Sequence, residues 1–159
     1  MKKRSAYRPR AYLPNPLMRL MPAAQDECTR LIARFDSALY AMTHGRHPGL
    51  DEWADLADAI NTVETLAVHS RKLPAAETMP LVNTAIKAMV DAANRHKAGQ
   101  GMRLDGAGIA AIRSVIDIYA QCLQLLTERE MADAQIETQR RLDEIRKAPA
   151  AGHQVVEMA

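Results

Sequence analysis

Residues 105–147 read DGAGIAAIRSVIDIYAQCLQLLTEREMADAQIETQRRLDEIRK, without a proline and without a glycine beyond Gly108. Ile109, Ile112, Ile116, Tyr119, Leu123 and Leu126 alternate three- and four-residue spacings, which sets one apolar stripe along a helix. Past Leu126 the same register falls on Glu130, Asp133, Glu137 and Arg140, and only Met131, Ala134, Leu142 and Ile145 remain as scattered apolar contacts. Good helix formers fill 127–147, so the pattern predicts one continuous helix from 105 to 147, about 60 Å long. That exceeds a compact domain of this size, so its outer half is expected to project, bend or rest on another subunit. Pairs such as Glu137–Arg141 and Asp143–Lys147, four residues apart, let such a helix survive in water. Met131, Ala134, Leu142 and Ile145 are the expected oligomer interface, most simply of a homodimer.

Working back along the chain, three more helices emerge. The first spans 23–43, with Leu31, Phe35, Ala38 and Met42 in line and Cys28 and Leu39 widening the stripe. Gly45 stops it and His47-Pro48-Gly49 turns the chain. The second spans 51–72 through Trp53, Leu56, Ile60, Val63 and Ala67. Acids in its first turns and Arg71 and Lys72 in its last complement the helix dipole. Pro74 ends it. The third spans 79–97, with Val82, Ile86, Met89, Ala93 and His96 on one face, and Gly99-Gln100-Gly101 opens a flexible connection. Neither strand alternation nor an internal repeat is present. The expected fold is all-α: a four-helix bundle-like body (23–147) with an extended basic N-terminal arm (1–22), a long projecting C-terminal helix and a flexible tail (148–159).

Composition agrees with a single unit. The chain has 159 residues, 48% hydrophobic and 25% charged, but only 4% aromatic, so nine methionines and many aliphatics must fill the core. No window is apolar enough for a transmembrane helix. Met1-Lys2-Lys3-Arg4 starts like a signal peptide, yet Tyr7-Arg8-Pro9-Arg10 stands where an apolar segment is required, and a cytoplasmic location is expected. Cys28 and Cys122, each within a helical pattern, read as buried reduced thiols.

The net charge of +2 conceals an asymmetry. Residues 1–24 carry six cations and no acid, which leaves 15 cations against 19 acids, a body at −4. Pro9, Pro14, Pro16 and Pro22 keep this arm from forming a continuous helix. Lys2, Lys3, Arg4, Arg8 and Arg10, with Tyr7 and Tyr12 among them, suit a segment that tracks phosphates and stacks on bases. They equally suit an acidic protein surface, a solubilising tail, or packing along the chain's own bundle. Asp51, Glu52, Asp55, Asp58 and Glu64, unopposed by a base until Arg71, either receive the arm or form an ordinary charged face.

Catalytic chemistry finds little support. Gly99-Gln100-Gly101, Gly106 and Gly108 follow no strand and lack the Lys-Ser/Thr of a phosphate loop. No nucleophile elbow or Cys/His arrangement occurs. His44 and His47 straddle a turn without a cysteine nearby, and no Glu-x-x-His pairs sit on the helices. Neither a metal, a cofactor nor a catalytic residue is expected.

Lys3-Arg4-Ser5-Ala6-Tyr7-Arg8-Pro9-Arg10 resembles the opening of small helical proteins of prophages and other mobile elements of Gram-negative bacteria, which begin Lys-Arg-Ser-x-Tyr-Arg-Pro. Thr43-His44-Gly45-Arg46 and the stretch Asp51-Glu52-Trp53-Ala54-Asp55-Leu56-Ala57-Asp58-Ala59-Ile60-Asn61 are similar to a second block of that family. The resemblance implies a phage or mobile-element setting and assigns no catalytic residue. The expected function is a non-enzymatic protein-interaction module, an adaptor or inhibitor whose partner is a host or phage protein, away from membranes. The alternative is a DNA-binding or other nucleic-acid accessory protein that uses the arm.

Overall fold

The computed structural model describes residues 20–45 and 47–147. It contains five helices: α1 (Gln25–His44), α2 (Leu50–His69), α3 (Ala75–Lys97), α4 (Gly106–Leu125) and α5 (Glu128–Lys147). Strands are absent among the described residues. Helices α1 to α4 run up and down as a bundle, each touching its neighbours in the ring, with α2 and α4 also meeting across the middle.

The apolar stripes go where their spacing sends them. Phe35, Leu39 and Met42 from α1, Leu56, Ile60 and Val63 from α2, Val82 and Met89 from α3, and Ile112, Val115 and Tyr119 from α4 are all fully buried. The Phe35 and Tyr119 rings meet edge to face at 5.1 Å, a geometry that suits their quadrupoles. Burial pushes the Tyr119 hydroxyl up to about 12, so it stays protonated at neutral pH. Trp53 Nε1 donates to Met89 O at 3.2 Å, which gives the buried indole its partner and ties α2 to α3. Cys28 and Cys122 are buried free thiols.

Several boundaries differ from expectation. Helix α3 begins at Ala75, before the expected 79, because Pro80 sits in its second turn, where the missing N–H removes a single helical bond. Its stripe holds through Ala93, after which His96 emerges into solvent. The 98–105 connection is not loose: Met102 and Leu104 are buried, and Leu104 N–H donates to Met42 O at 3.3 Å.

The largest correction concerns residues 105–147. They form two helices, not one, broken at Leu126–Thr127, and α5 folds back along α2 instead of projecting. Leu126 is extended (φ −100°, ψ 149°), and Thr127-Glu128-Arg129-Glu130 forms a capping box. Glu130 N–H donates to Thr127 Oγ1 at 3.2 Å, and Thr127 N–H donates to Glu130 Oε2 at 2.8 Å. The reciprocal bonds satisfy amides that a new helix start leaves unpaired.

Helix α2 becomes the centre of the molecule, touched by all four others. Ala57, Ala59 and Ala67 allow close approach, and Asn61, Thr62 and Thr65 are buried on what a simple amphipathic reading leaves to solvent.

Candidate functional site

The site residues expected in the arm, Lys2, Lys3, Arg4, Tyr7, Arg8, Arg10 and Tyr12, lie outside the described residues, as does the tail from 148 on. The point at which the arm meets the body is described. Met21 O accepts the N–H of Glu128 at 2.8 Å, so residues 20–21 are fixed to the first turn of α5. The bond uses one of the amides that every helix start leaves free. Leu20 and Met21 are 56% and 62% exposed there, and Leu125, in the last turn of α4, is 68% exposed.

Beside this corner lies a cleft of about 380 Å³ between the end of α2, the turn after it and α5. Leu66, Leu126 and Ala134 form its apolar floor, and His69, Lys72, Glu130 and Glu137 stand around it. Lys72 Nζ reaches Glu130 Oε1 at 2.7 Å, and His69 Nε2 lies 3.8 Å from Glu137 Oε1. The Lys72 ammonium first, and the Thr127 N–H second, hold the Glu130 carboxyl down to about 2. Arg140 lowers Glu137 in the same direction. Both carboxylates stay ionised at neutral pH and serve as fixed charges, not as proton donors. The floor can take one or two apolar side chains from a partner while the rim reads their flanks.

The four expected interface residues of α5 divide differently. Met131 and Ala134 are buried in the chain's own core, at 6% and 7% exposure. Leu142 and Ile145 are half-buried beside Asn61 and Arg141. Folding α5 back onto α2 packs this face within one chain. The expected Glu137–Arg141 pairing is also replaced. Arg141 Nη2 reaches across to Glu64 Oε2 of α2 at 3.1 Å, and Glu137 pairs with Arg140. Asp143 is paired with Arg146 at 3.3 Å.

The acidic residues of α2 are more occupied than their sequence suggests. Asp55 pairs with Arg34 of α1, Glu64 with Arg141, and Glu52 accepts the Gly49 N–H at 2.8 Å. Asp51 and Asp58 remain as exposed acids on this helix.

One feature escaped the sequence. At the end of the bundle away from Leu20 and Met21, the α1–α2 and α3–α4 connections meet around a groove of about 550 Å³. His47, His96 and Arg103 line it, with Arg95 and Lys97 in the adjoining last turn of α3. Arg95 Nη2 donates to Arg103 O at 2.6 Å, and Arg103 Nη2 donates to Gly45 O at 3.3 Å. Arg95, Lys97 and Arg103 have no ion-pair partner among the described residues. The signal was the run Arg95-His96-Lys97, which on its own reads only as a complement to the helix dipole.

Among the described residues, no group of three or more His, Cys, Asp or Glu side chains is placed to hold a metal ion, and no helix is long and apolar enough to cross a membrane. His44 instead stacks on Tyr40, ring centres 4.7 Å apart. Comparison with protein-family models, curated proteins and solved structures gave no match to this chain.

Proposed function

We propose that the protein is a non-enzymatic interaction module of a phage or mobile element, an adaptor or inhibitor that grips one acidic host or phage protein. The observation that supports this reading is the bond from Glu128 N–H to Met21 O, with exposed Leu20 and Met21 beside it. It fixes an apolar anchor, residues 20–21, on the folded body, directly after the cationic segment in the sequence. Charge steers encounter and the anchor then supplies the slow dissociation, a division of labour common at protein interfaces. A cytoplasmic setting and a homodimer belong to the same proposal.

The test is capture from bacterial lysate with and without nuclease. It compares the full chain, a chain lacking residues 2–12, and a Leu20→Asp/Met21→Asp variant. A nuclease-resistant partner lost from both altered chains is the expected result. Capture that disappears with nuclease replaces this reading with the nucleic-acid one, which Arg95, Lys97 and Arg103 favour by gathering cations of the net-acidic body around one groove. In that case an electrophoretic shift falls steeply with salt and weakens when residues 2–12 are removed. A chain that captures nothing and shifts no nucleic acid at low salt sinks both readings.

A further inference from the structure

We propose that α5 exchanges between two copies of this chain. In the exchanged form α4 and α5 straighten into one helix through Leu126 and Thr127, and each α5 packs on the α2 of the other copy. The inference deepens the homodimer named above, and of the arm it uses only the bond at Met21.

The break between α4 and α5 is two residues long, and neither is a helix breaker. From Ile109 to Lys147 the chain has no glycine or proline, and Leu126 continues the core stripe of α4. What bends the chain is therefore local and replaceable: the Thr127–Glu130 capping box and the bond from Glu128 N–H to Met21 O. In a straight helix the N–H groups of residues 127–130 pair instead with the carbonyls of 123–126, so few backbone bonds are lost on straightening. Nearly balanced hinges of this kind are where identical chains exchange an element.

The contacts of α5 with α2 survive exchange unchanged. Thr138 beside Thr65 at 2.8 Å and Arg141 beside Glu64 at 3.1 Å form equally well within one chain or between two. The hinge also carries Leu125, 68% exposed in the closed chain. Two straightened helices pass each other at the hinge, and this side chain then gains an apolar neighbour from the second copy.

The experiment uses full-length chains. Chains carrying Thr65→Cys are mixed with chains carrying Thr138→Cys, unfolded together in urea, refolded and oxidised. An interchain disulfide between the two kinds of chain is expected, since Thr65 and Thr138 touch only where α5 lies on α2. Absence of that bond overturns the proposal. Thr127→Ala with Glu130→Ala removes the cap from each of the two closed chains that form a dimer, and light scattering should show dimerisation at about thirtyfold lower concentration. Adding Glu128→Pro restores the monomer, because the 128 N–H is lost from both forms, while the proline ring fits the first position of α5 and clashes inside a straight helix. A folded cap-less chain that stays monomeric over the same range, or a proline variant that dimerises equally well, also overturns it.

Discussion

Thr138 Oγ1 of α5 stands 2.8 Å from Thr65 Oγ1 of α2, a buried contact between residues 73 positions apart. Thr65 also donates to Asn61 O at 3.0 Å and accepts Arg141 Nη1 at 2.9 Å. One hydroxyl thus serves three partners, and it is the polar clasp of the α2–α5 seam. Thr65→Val removes a partner from both Arg141 and Thr138, and is expected to cost about 1–3 kcal/mol. Thr138→Val should cost less, because Thr65 keeps Asn61 and Arg141. Urea unfolding followed by the fluorescence of Trp53, the single tryptophan, measures both. Equal losses would show that Thr65 is not the shared centre.

Thr62 is the counter-example three residues away. It is 1% exposed and its Oγ1 has no hydrogen-bond partner among the described residues. A buried hydroxyl without a partner is destabilising, while its methyl packs well. Thr62→Val keeps the shape and deletes the unpaired oxygen, so stability should rise by about 1 kcal/mol, seen as a higher urea midpoint at unchanged slope. A drop on this substitution would mean that the oxygen has a partner in solution.

These two threonines show where sequence stops being informative. The stripes of α1 and α4 were readable because one apolar face meets one core, as at Phe35 and Tyr119. Helix α2 is covered on several sides, so Asn61, Thr62 and Thr65 are buried although periodicity places no apolar residue there. The α4–α5 break had a legible signature in Thr127-Glu128-Arg129-Glu130. It was outweighed by a run of helix formers, since a capping box stabilises a helix start only slightly more than continuing the helix would. Glu64 found its cation in Arg141, which no rule about neighbours along one helix can anticipate. The cationic groove at His47, His96 and Arg103 depends on two connections meeting, a tertiary event. The arm's cations were plain in the sequence, whereas Glu128, the residue that fixes where the arm departs, carries no sequence mark at all.

Glu130 links this corner to pH. Its carboxyl ordinarily titrates near 4.5 and is held down to about 2 in the folded chain, chiefly by Lys72 and then by the Thr127 N–H. The folded value is the lower one, so on acidification the unfolded chain takes up this proton first. The stabilisation is complete above about pH 4.5 and is lost as pH falls toward 2. Glu130→Gln keeps an oxygen for the Thr127 N–H and removes the charge. It should therefore be less stable than the parent chain at pH 7, and the two should converge as pH approaches 2. Glu137, also lowered, is present in both chains and cancels from the difference. The Lys72 and Glu130 side chains are 53% and 40% exposed, so added salt should shrink the gap at pH 7. Urea midpoints at several pH values, at low and high salt, decide the matter. A gap that persists undiminished to pH 2.5 and ignores salt would place the effect in the cap's hydrogen bonds and not in the charge, because only the charge titrates over this range.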